Sequence, residues 1–222
     1  YKVTIICTKA FNTLEDYAKP TDKSSRSAAS KSGNTHSTRV NGAMLTAWGI
    51  ESEVPYNRVF LPEKKDPRPL KKHALLIENL ECFLNKDDTY QFVQRHCGVT
   101  VKAEDVEFIW AAGNSISNKL IIPYLQGFKS SVMCLLDVDL GGLQIYANLL
   151  SGGLPAESTH YVVPNNLKDR LRKSRRHIGD KELQSLSKVY GLSPLTDGVI
   201  SAIRYYKSTL EQEGYRAVNC SL

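Results

Sequence analysis

From residue 73 to residue 163, short apolar runs alternate with longer amphipathic segments, and this pattern restricts the fold more than any other feature. The apolar runs lie at residues 74–77, 106–110, 132–136 and 160–163. Segments of helical character separate them, near residues 88–97, 115–125 and 143–150. Strand–helix alternation at this spacing predicts an α/β fold, a Rossmann-like parallel sheet flanked by helices.

The first 70 residues differ from this pattern and are predicted to form an N-terminal extension that contains β-structure. Residues 1–7 are rich in β-branched side chains and predict a strand. Residues 19–38 are polar and low in complexity, so we expect a mobile basic loop there. A linker with three prolines, residues 62–69, then leads into the main domain at 71–222.

The C-terminal tail is predicted to be helical. Two short helices are expected at residues 166–176 and 181–190. A longer helix is expected to start after Ser193, which is a favourable N-cap followed by proline. Gly214 is expected to end that helix.

Composition excludes some classes of protein. No run of about 18 apolar residues is present, so no transmembrane helix is expected. Five cysteines, an odd number without C-x-x-C spacing, indicate reduced thiols rather than disulfides or a zinc site. The sequence begins at Tyr1 without a signal-like region, and a start other than Met suggests part of a longer cytoplasmic protein.

The net charge of +6 is unevenly distributed. Residues 19–40 carry a net charge of +4 and residues 165–177 carry +5. The basic side chains of the second stretch are Lys168, Arg170, Arg172, Lys173, Arg175 and Arg176. Two basic stretches indicate a polyanionic partner, nucleic acid first. A solvent-exposed basic helix without a partner is the alternative.

Acidic residues follow two of the predicted strands. Asp137 and Asp139 come directly after the apolar run at 132–136 and lie two residues apart, so they share a face and repel each other. Glu78 follows the strand at 74–77 in the same way. If these strands are neighbours, the three carboxylates meet at one edge, where hard oxygen ligands suit Mg²⁺ or Mn²⁺. The alternative is that the Asp-x-Asp pair serves turn and helix-cap chemistry.

These motifs resemble a known family. A Glu after one strand, a glycine turn at Gly113 and an Asp-x-Asp after a later strand resemble the Toprim domain of topoisomerases, primases and nucleases. The run from Leu136 to Tyr146 is similar to the branch that contains the topoisomerase VI A subunit and JetD, the nuclease subunit of Wadjet plasmid-defence systems. A Leu-Glu-Gln-Glu run at 210–213 is also similar to the JetD group, and the resemblance spans residues 72–214.

The resemblance implies roles for single residues. Glu78, Asp137 and Asp139 become catalytic, metal-binding acids, and Glu213 or Glu211 becomes a supporting acid, with solvated helix positions as the alternative. It also implies a homodimer and an SMC-like ATPase partner. We therefore expect a Mg²⁺- or Mn²⁺-dependent DNA endonuclease, such as the nuclease of a plasmid or phage defence system. A topoisomerase VI A-like transesterase fragment and a non-catalytic DNA-binding or assembly module are the alternatives.

Overall fold

The computed structural model of the protein describes residues 4–18, 42–62, 64 and 68–217. The strands are β1 (Ala43–Gly49), β2 (Tyr56–Phe60), β3 (His73–Ile77), β4 (Val106–Trp110), β5 (Ser131–Leu135) and β6 (Thr159–Val162). The α-helices are α1 (Thr8–Ala18), α2 (Leu80–Leu84), α3 (Lys86–Cys97), α4 (Ile122–Gln126), α5 (Leu140–Ser151), α6 (Leu167–Lys173), α7 (Asp180–Ser185), α8 (Pro194–Tyr206) and α9 (Gln212–Ala217).

The described strands form one mixed sheet in the order β2-β1-β4-β3-β5-β6. Neighbouring strands from β4 through β3 and β5 to β6 are parallel, as predicted. β1 runs antiparallel to β4, so the prediction of a purely parallel sheet is wrong at this side. The central strands β3 and β5 are buried almost throughout, as is typical of parallel strands that are covered on both faces. The α/β class is thus confirmed.

The chain divides into two compact units. The larger unit comprises Met44–Phe60 and Lys64–Leu222, and so contains the sheet from residue 44 onward. The smaller unit comprises Tyr1–Ala43 and Leu61–Glu63. The strand predicted at residues 1–7 is wrong where it is described, since residues 4–7 are not in a strand and α1 begins at Thr8. A short β-rich run forms a strand only where a neighbouring strand completes its hydrogen bonds. The basic loop predicted at 19–38 lies outside the described residues.

The long C-terminal helix of the prediction is interrupted. α8 begins as expected, with Ser193 and Thr196 forming a capping box. It ends at Tyr206, and its C-cap Lys207 has a left-handed φ of 51°. Residues 208 and 210 then make β-bridges to His177 and Val138, respectively. The chain then continues into α9. Gly214, the residue expected to end the long helix, lies within α9. The interruption brings residues 210–213 to the ends of β3 and β5.

None of the described helices is both long enough and apolar enough to cross a membrane.

A buried charged cluster connects β2 to β4. The carboxylate of Glu107 in β4 is fully buried and accepts a 2.5 Å hydrogen bond from the Tyr124 hydroxyl. Arg58 Nε of β2 lies 3.4 Å from the same carboxylate oxygen, and the guanidinium also lies over the Tyr124 ring. Burial raises the pKa of Tyr124, so its hydroxyl stays a donor. The second oxygen, Oε2, has no hydrogen-bond partner in the described part of the chain.

Arg58→Met is therefore expected to lower the free energy of unfolding by about 2 kcal/mol, because it leaves the Glu107 carboxylate buried without a cation. Urea unfolding measures the loss. A matched control is Lys102→Met, since Lys102 lies 3.9 Å from Glu104 with both side chains exposed, and a loss below about 0.5 kcal/mol is expected there. Equal losses in the two variants would contradict a stabilising role for the buried pair.

Candidate active site

The ends of β3 and β5 bring two of the predicted acids together. Ile77 and Leu135, the last residues of the two strands, are paired in register. The Glu78 N–H donates to the Leu135 carbonyl at 3.3 Å. The Glu78 carboxylate in turn accepts a 3.1 Å hydrogen bond from the Asp137 N–H. The predicted proximity of the two strands, on which the three-acid hypothesis depends, is confirmed.

Asp139 has a second role at the start of α5. It is the N-cap of that helix, and its Oδ1 accepts a 2.9 Å hydrogen bond from the Gly142 N–H. Its other oxygen, Oδ2, lies 3.6 Å from Arg176 Nη2. The helix-cap interpretation of the Asp-x-Asp pair is therefore right for Asp139. It does not account for Asp137, whose Oδ1 accepts from the Gln212 N–H at 2.9 Å.

The three carboxylates influence one another electrostatically. Burial, and after it the charges of Glu78, Asp139 and Glu213, raise the pKa of Asp137 to about 7, against the lowering effect of the Gln212 N–H. Burial also raises the pKa of Glu78, opposed by the Asp137 N–H and assisted by the charge of Asp139. Negative charge is thus costly at this edge, and a bound cation would relieve it.

The two glutamates of the 210–213 run lie differently. The side-chain amide of Asn79, the residue after Glu78 in the sequence, donates a hydrogen bond to Glu213, and the charge of Glu213 raises the pKa of Asp137. Glu211 instead forms an ion pair with Arg176. Of the two supporting candidates, Glu213 is therefore the one whose electrostatic effect reaches Asp137.

Sequence reasoning missed Gln212 and Asn79. Gln212 is buried, with 1% of its surface exposed, and its side chain connects the ends of β3 and β5. The only available signal was its place in the Leu-Glu-Gln-Glu run, in which a neutral amide between two carboxylates carries no charge pattern. Asn79 caps α2 through a 2.9 Å bond from the Cys82 N–H and holds Glu213, and nothing in its local pattern indicates the second contact.

The turn from β5 into α5 requires glycine at position 142. A Cβ on Gly142 would lie 2.1 Å from the Asp137 carbonyl oxygen. At Gly141 the nearest atom to a Cβ would be Asp139 Oδ1, at 3.2 Å. The close approach of the two backbone segments therefore occurs at Gly142, and it fixes the backbone that carries both aspartates.

The donor set at this edge has the chemistry that a hard divalent cation prefers. Glu78, Asp137 and Asp139 supply oxygen atoms only, and their mutual repulsion favours a cation. In their present orientation, several of these oxygens face N–H donors of the protein. In the part of the chain that the structure describes, no three His, Cys, Asp or Glu side chains are grouped so that they could hold one ion. The metal-binding role of the acids stays a prediction.

The predicted basic helix is shorter than expected, and its cations differ in exposure. α6 ends at Lys173 rather than at residue 176. Arg170 is buried, with 4% exposed; it donates to Asn166 Oδ1 at 2.7 Å and lies over the Phe92 ring. This placement makes Arg170 part of the protein interior rather than of a DNA-facing surface. Arg172 forms an exposed ion pair with Asp169.

A cavity of about 440 Å³ lies beside these cations and is called the basic cavity here. Its lining residues are Asn166, Asp169, Arg170, Lys173, Ser174, Arg175, Arg176, Leu210, Glu211 and Gly214. Arg176 belongs to this lining and also contacts Asp139, so one guanidinium connects the basic cavity to the acidic edge. Lys168 is exposed on α6.

Neither a protein-family model nor a curated protein sequence matches this chain.

Proposed function

We propose that this protein is a metal-dependent endonuclease that hydrolyses phosphodiester bonds of DNA. The observation that supports it most is that Glu78 and Asp137 lie together at paired strand ends. The charge of Asp139 raises the pKa of both. Glu78, Asp137 and Asp139 would hold Mg²⁺ or Mn²⁺. Such an ion, when bound, polarises the phosphate and lowers the pKa of an attacking water.

The chain's own residues supply orientation and substrate binding. Backbone N–H groups of Asp137, Gln212 and Gly142 hold the three carboxylates at the strand ends. Arg176 would neutralise phosphate charge between the acidic edge and the basic cavity. Lys168, Lys173 and Arg175 would contact backbone phosphates without reading sequence. Arg172 would also contact a backbone phosphate if it exchanged its ion pair with Asp169 for one with the phosphate.

The resemblance to the JetD group extends the proposal to partners and place. It supports a double-stranded DNA target, a homodimer, an SMC-like ATPase partner and a cytoplasmic role in plasmid or phage defence. It also supports a Toprim-type assignment for the parallel part of the sheet, where the acids follow β3 and β5.

Nicking of supercoiled plasmid tests the proposal directly. Cleavage is expected with Mg²⁺ or Mn²⁺ and is expected to stop on addition of EDTA. A covalent protein–DNA adduct trapped in denaturant would instead favour the transesterase. Tyr161 is the tyrosine whose hydroxyl donates to the Asp137 carbonyl at 2.5 Å, but it is 2% exposed, which disfavours it as a nucleophile.

Calorimetric titration with Mg²⁺ separates the endonuclease from a non-catalytic module. Heat of binding at millimolar metal is expected for the endonuclease. Absence of binding in that range, together with intact DNA binding, would favour the DNA-binding or assembly module.

Replacing Lys173 and Arg175 together by glutamine is expected to weaken DNA binding by a similar factor for unrelated duplex sequences. Each lost phosphate contact also reduces the magnitude of the negative slope of log K against log salt by about 0.9. Fluorescence anisotropy at several salt concentrations measures both effects. The matched control replaces Lys181 and Lys188, which are exposed and outside the basic cavity. An equal loss of affinity in both double variants would remove the special role of the basic cavity.

A further inference from the structure

The segment 207–213, called the clasp here, lies across the end of β5. Val138 and Leu210 exchange two backbone hydrogen bonds, of 2.8 and 3.1 Å. Ser208 makes a second bridge, to His177, and its hydroxyl donates to the Leu171 carbonyl at 2.6 Å. The clasp is thus held on both sides, and its last residues reach the acidic edge.

Gln212 makes three hydrogen bonds at this edge, and each goes to the end of β3 or β5. Its side-chain Nε2 donates to the Leu135 carbonyl at 2.6 Å. Its Oε1 accepts from the Asn79 N–H at 3.1 Å. Its backbone N–H donates to Asp137 Oδ1 at 2.9 Å. One buried residue therefore contacts the chain next to Glu78, the end of β5 and the Asp137 carboxylate itself.

We propose that Gln212 is a positioning residue that sets the relation between Glu78 and Asp137. The side-chain amide has a donor and an acceptor on one planar group, and it uses both to connect the two strand ends. Methionine would fill a similar volume with neither group. Glutamate would keep the acceptor for Asn79 and lose the donor to Leu135. The consequence for cleavage rests on the proposed function, whereas the positioning role does not.

Residues that orient the ligands of a metal are typically worth 10- to 100-fold in metal affinity or activity. Gln212 holds Asp137 directly through its backbone N–H and indirectly through the two strand ends. If Asp137 takes part in metal binding, loss of the amide is expected to weaken Mn²⁺ binding by about tenfold. The effect would arise without removal of any carboxylate.

Amide hydrogen exchange, measured by NMR without metal, tests the positioning role. In Gln212→Met, exchange at positions 79, 137 and 212 is expected to be about tenfold faster or more, relative to Ser208→Ala. Ser208→Ala is the matched control, because it removes one buried hydrogen bond of the clasp that does not reach the acids. Equal exchange at these positions in the two variants would overturn the proposal.

Gln212→Glu gives a second, position-specific readout should Gln212→Met fold poorly. Exchange is expected to rise at position 212 and to stay near the wild-type rate at position 79, whose acceptor is retained. Uniform acceleration at all amides would indicate a purely structural role and would overturn the proposal.

Calorimetry with Mn²⁺ alone then connects the positioning role to the proposed function. Wild type and Ser208→Ala are expected to bind Mn²⁺ equally, and Gln212→Met about tenfold more weakly. Unchanged affinity in Gln212→Met would overturn the link to metal binding. If the wild type binds no Mn²⁺, the proposed function fails and the exchange result alone decides the positioning role.

Discussion

The Gly142→Ala variant is expected to lose about 3 kcal/mol of its free energy of unfolding or more, the largest stability loss of any single substitution at the site. A Cβ at position 142 would lie 2.1 Å from the Asp137 carbonyl oxygen and 3.0 Å from the Asp137 carbonyl carbon. Both are backbone atoms, so relief requires movement of the turn that carries Asp137 and Asp139. Urea unfolding followed by circular dichroism measures the loss.

Gly198→Ala is the matched control for this substitution. Gly198 lies inside α8, and apart from its chain neighbours and the nearby backbone of its own helix no described atom would come within 4 Å of a Cβ there. Because alanine is the better helix former, this variant is expected to gain about 0.5 to 1 kcal/mol. Similar stabilities of the two alanine variants would contradict the close packing of the turn between β5 and α5.

The second large effect is expected from Asp137→Asn, which should slow cleavage strongly and yet stabilise the protein at neutral pH. Loss of one carboxylate of the proposed metal site is expected to reduce the cleavage rate by about 100- to 1000-fold. Stability responds in the opposite direction, because burial and neighbouring charges raise the pKa of Asp137 to about 7 in the folded protein. In the unfolded chain the pKa of an aspartate is about 4.

Between these two pKa values the folded protein binds more protons at Asp137 than the unfolded chain does. The stability of the wild type is therefore expected to fall as the pH rises from about 4 to about 7. Asp137→Asn lacks this contribution and should lose less stability between pH 5 and pH 8. Urea unfolding at the two pH values compares the variants. Asp180→Asn, at the exposed start of α7, serves as the control and should follow the wild type. A pH dependence of Asp137→Asn equal to that of the wild type would refute the electrostatic account.

The sequence was informative where the signal is local. The apolar runs of β3 and β5 are buried on both faces, and an acid directly after each run could be placed at the edge where parallel strands end together. Glu78 and Asp137 were therefore predictable as neighbours. The addition of β1 and β2 to the sheet was not, since the antiparallel pairing of Trp48 with Phe108 joins positions far apart in sequence.

The C-terminal part of the site depends on information that no local pattern carries. Lys207 takes a left-handed conformation, for which lysine has no special preference, and this turns the chain into the clasp. Gln212 and Asn79 act through neutral amides, which leave no charge pattern to detect. Arg170 belongs to a basic run yet is buried over Phe92, because tertiary packing rather than charge decides its position.

The central claim is that the carboxylates after β3 and β5 are the metal-dependent hydrolytic site, and nicking of supercoiled plasmid by Glu78→Gln tests it most directly. Glutamine keeps an acceptor for the Asp137 N–H, so the fold should be retained and the far-ultraviolet circular dichroism unchanged. With Mn²⁺ present, the rate of nicking is expected to fall by about 100-fold or more relative to the wild type. Nicking by folded Glu78→Gln at the wild-type rate would contradict the claim.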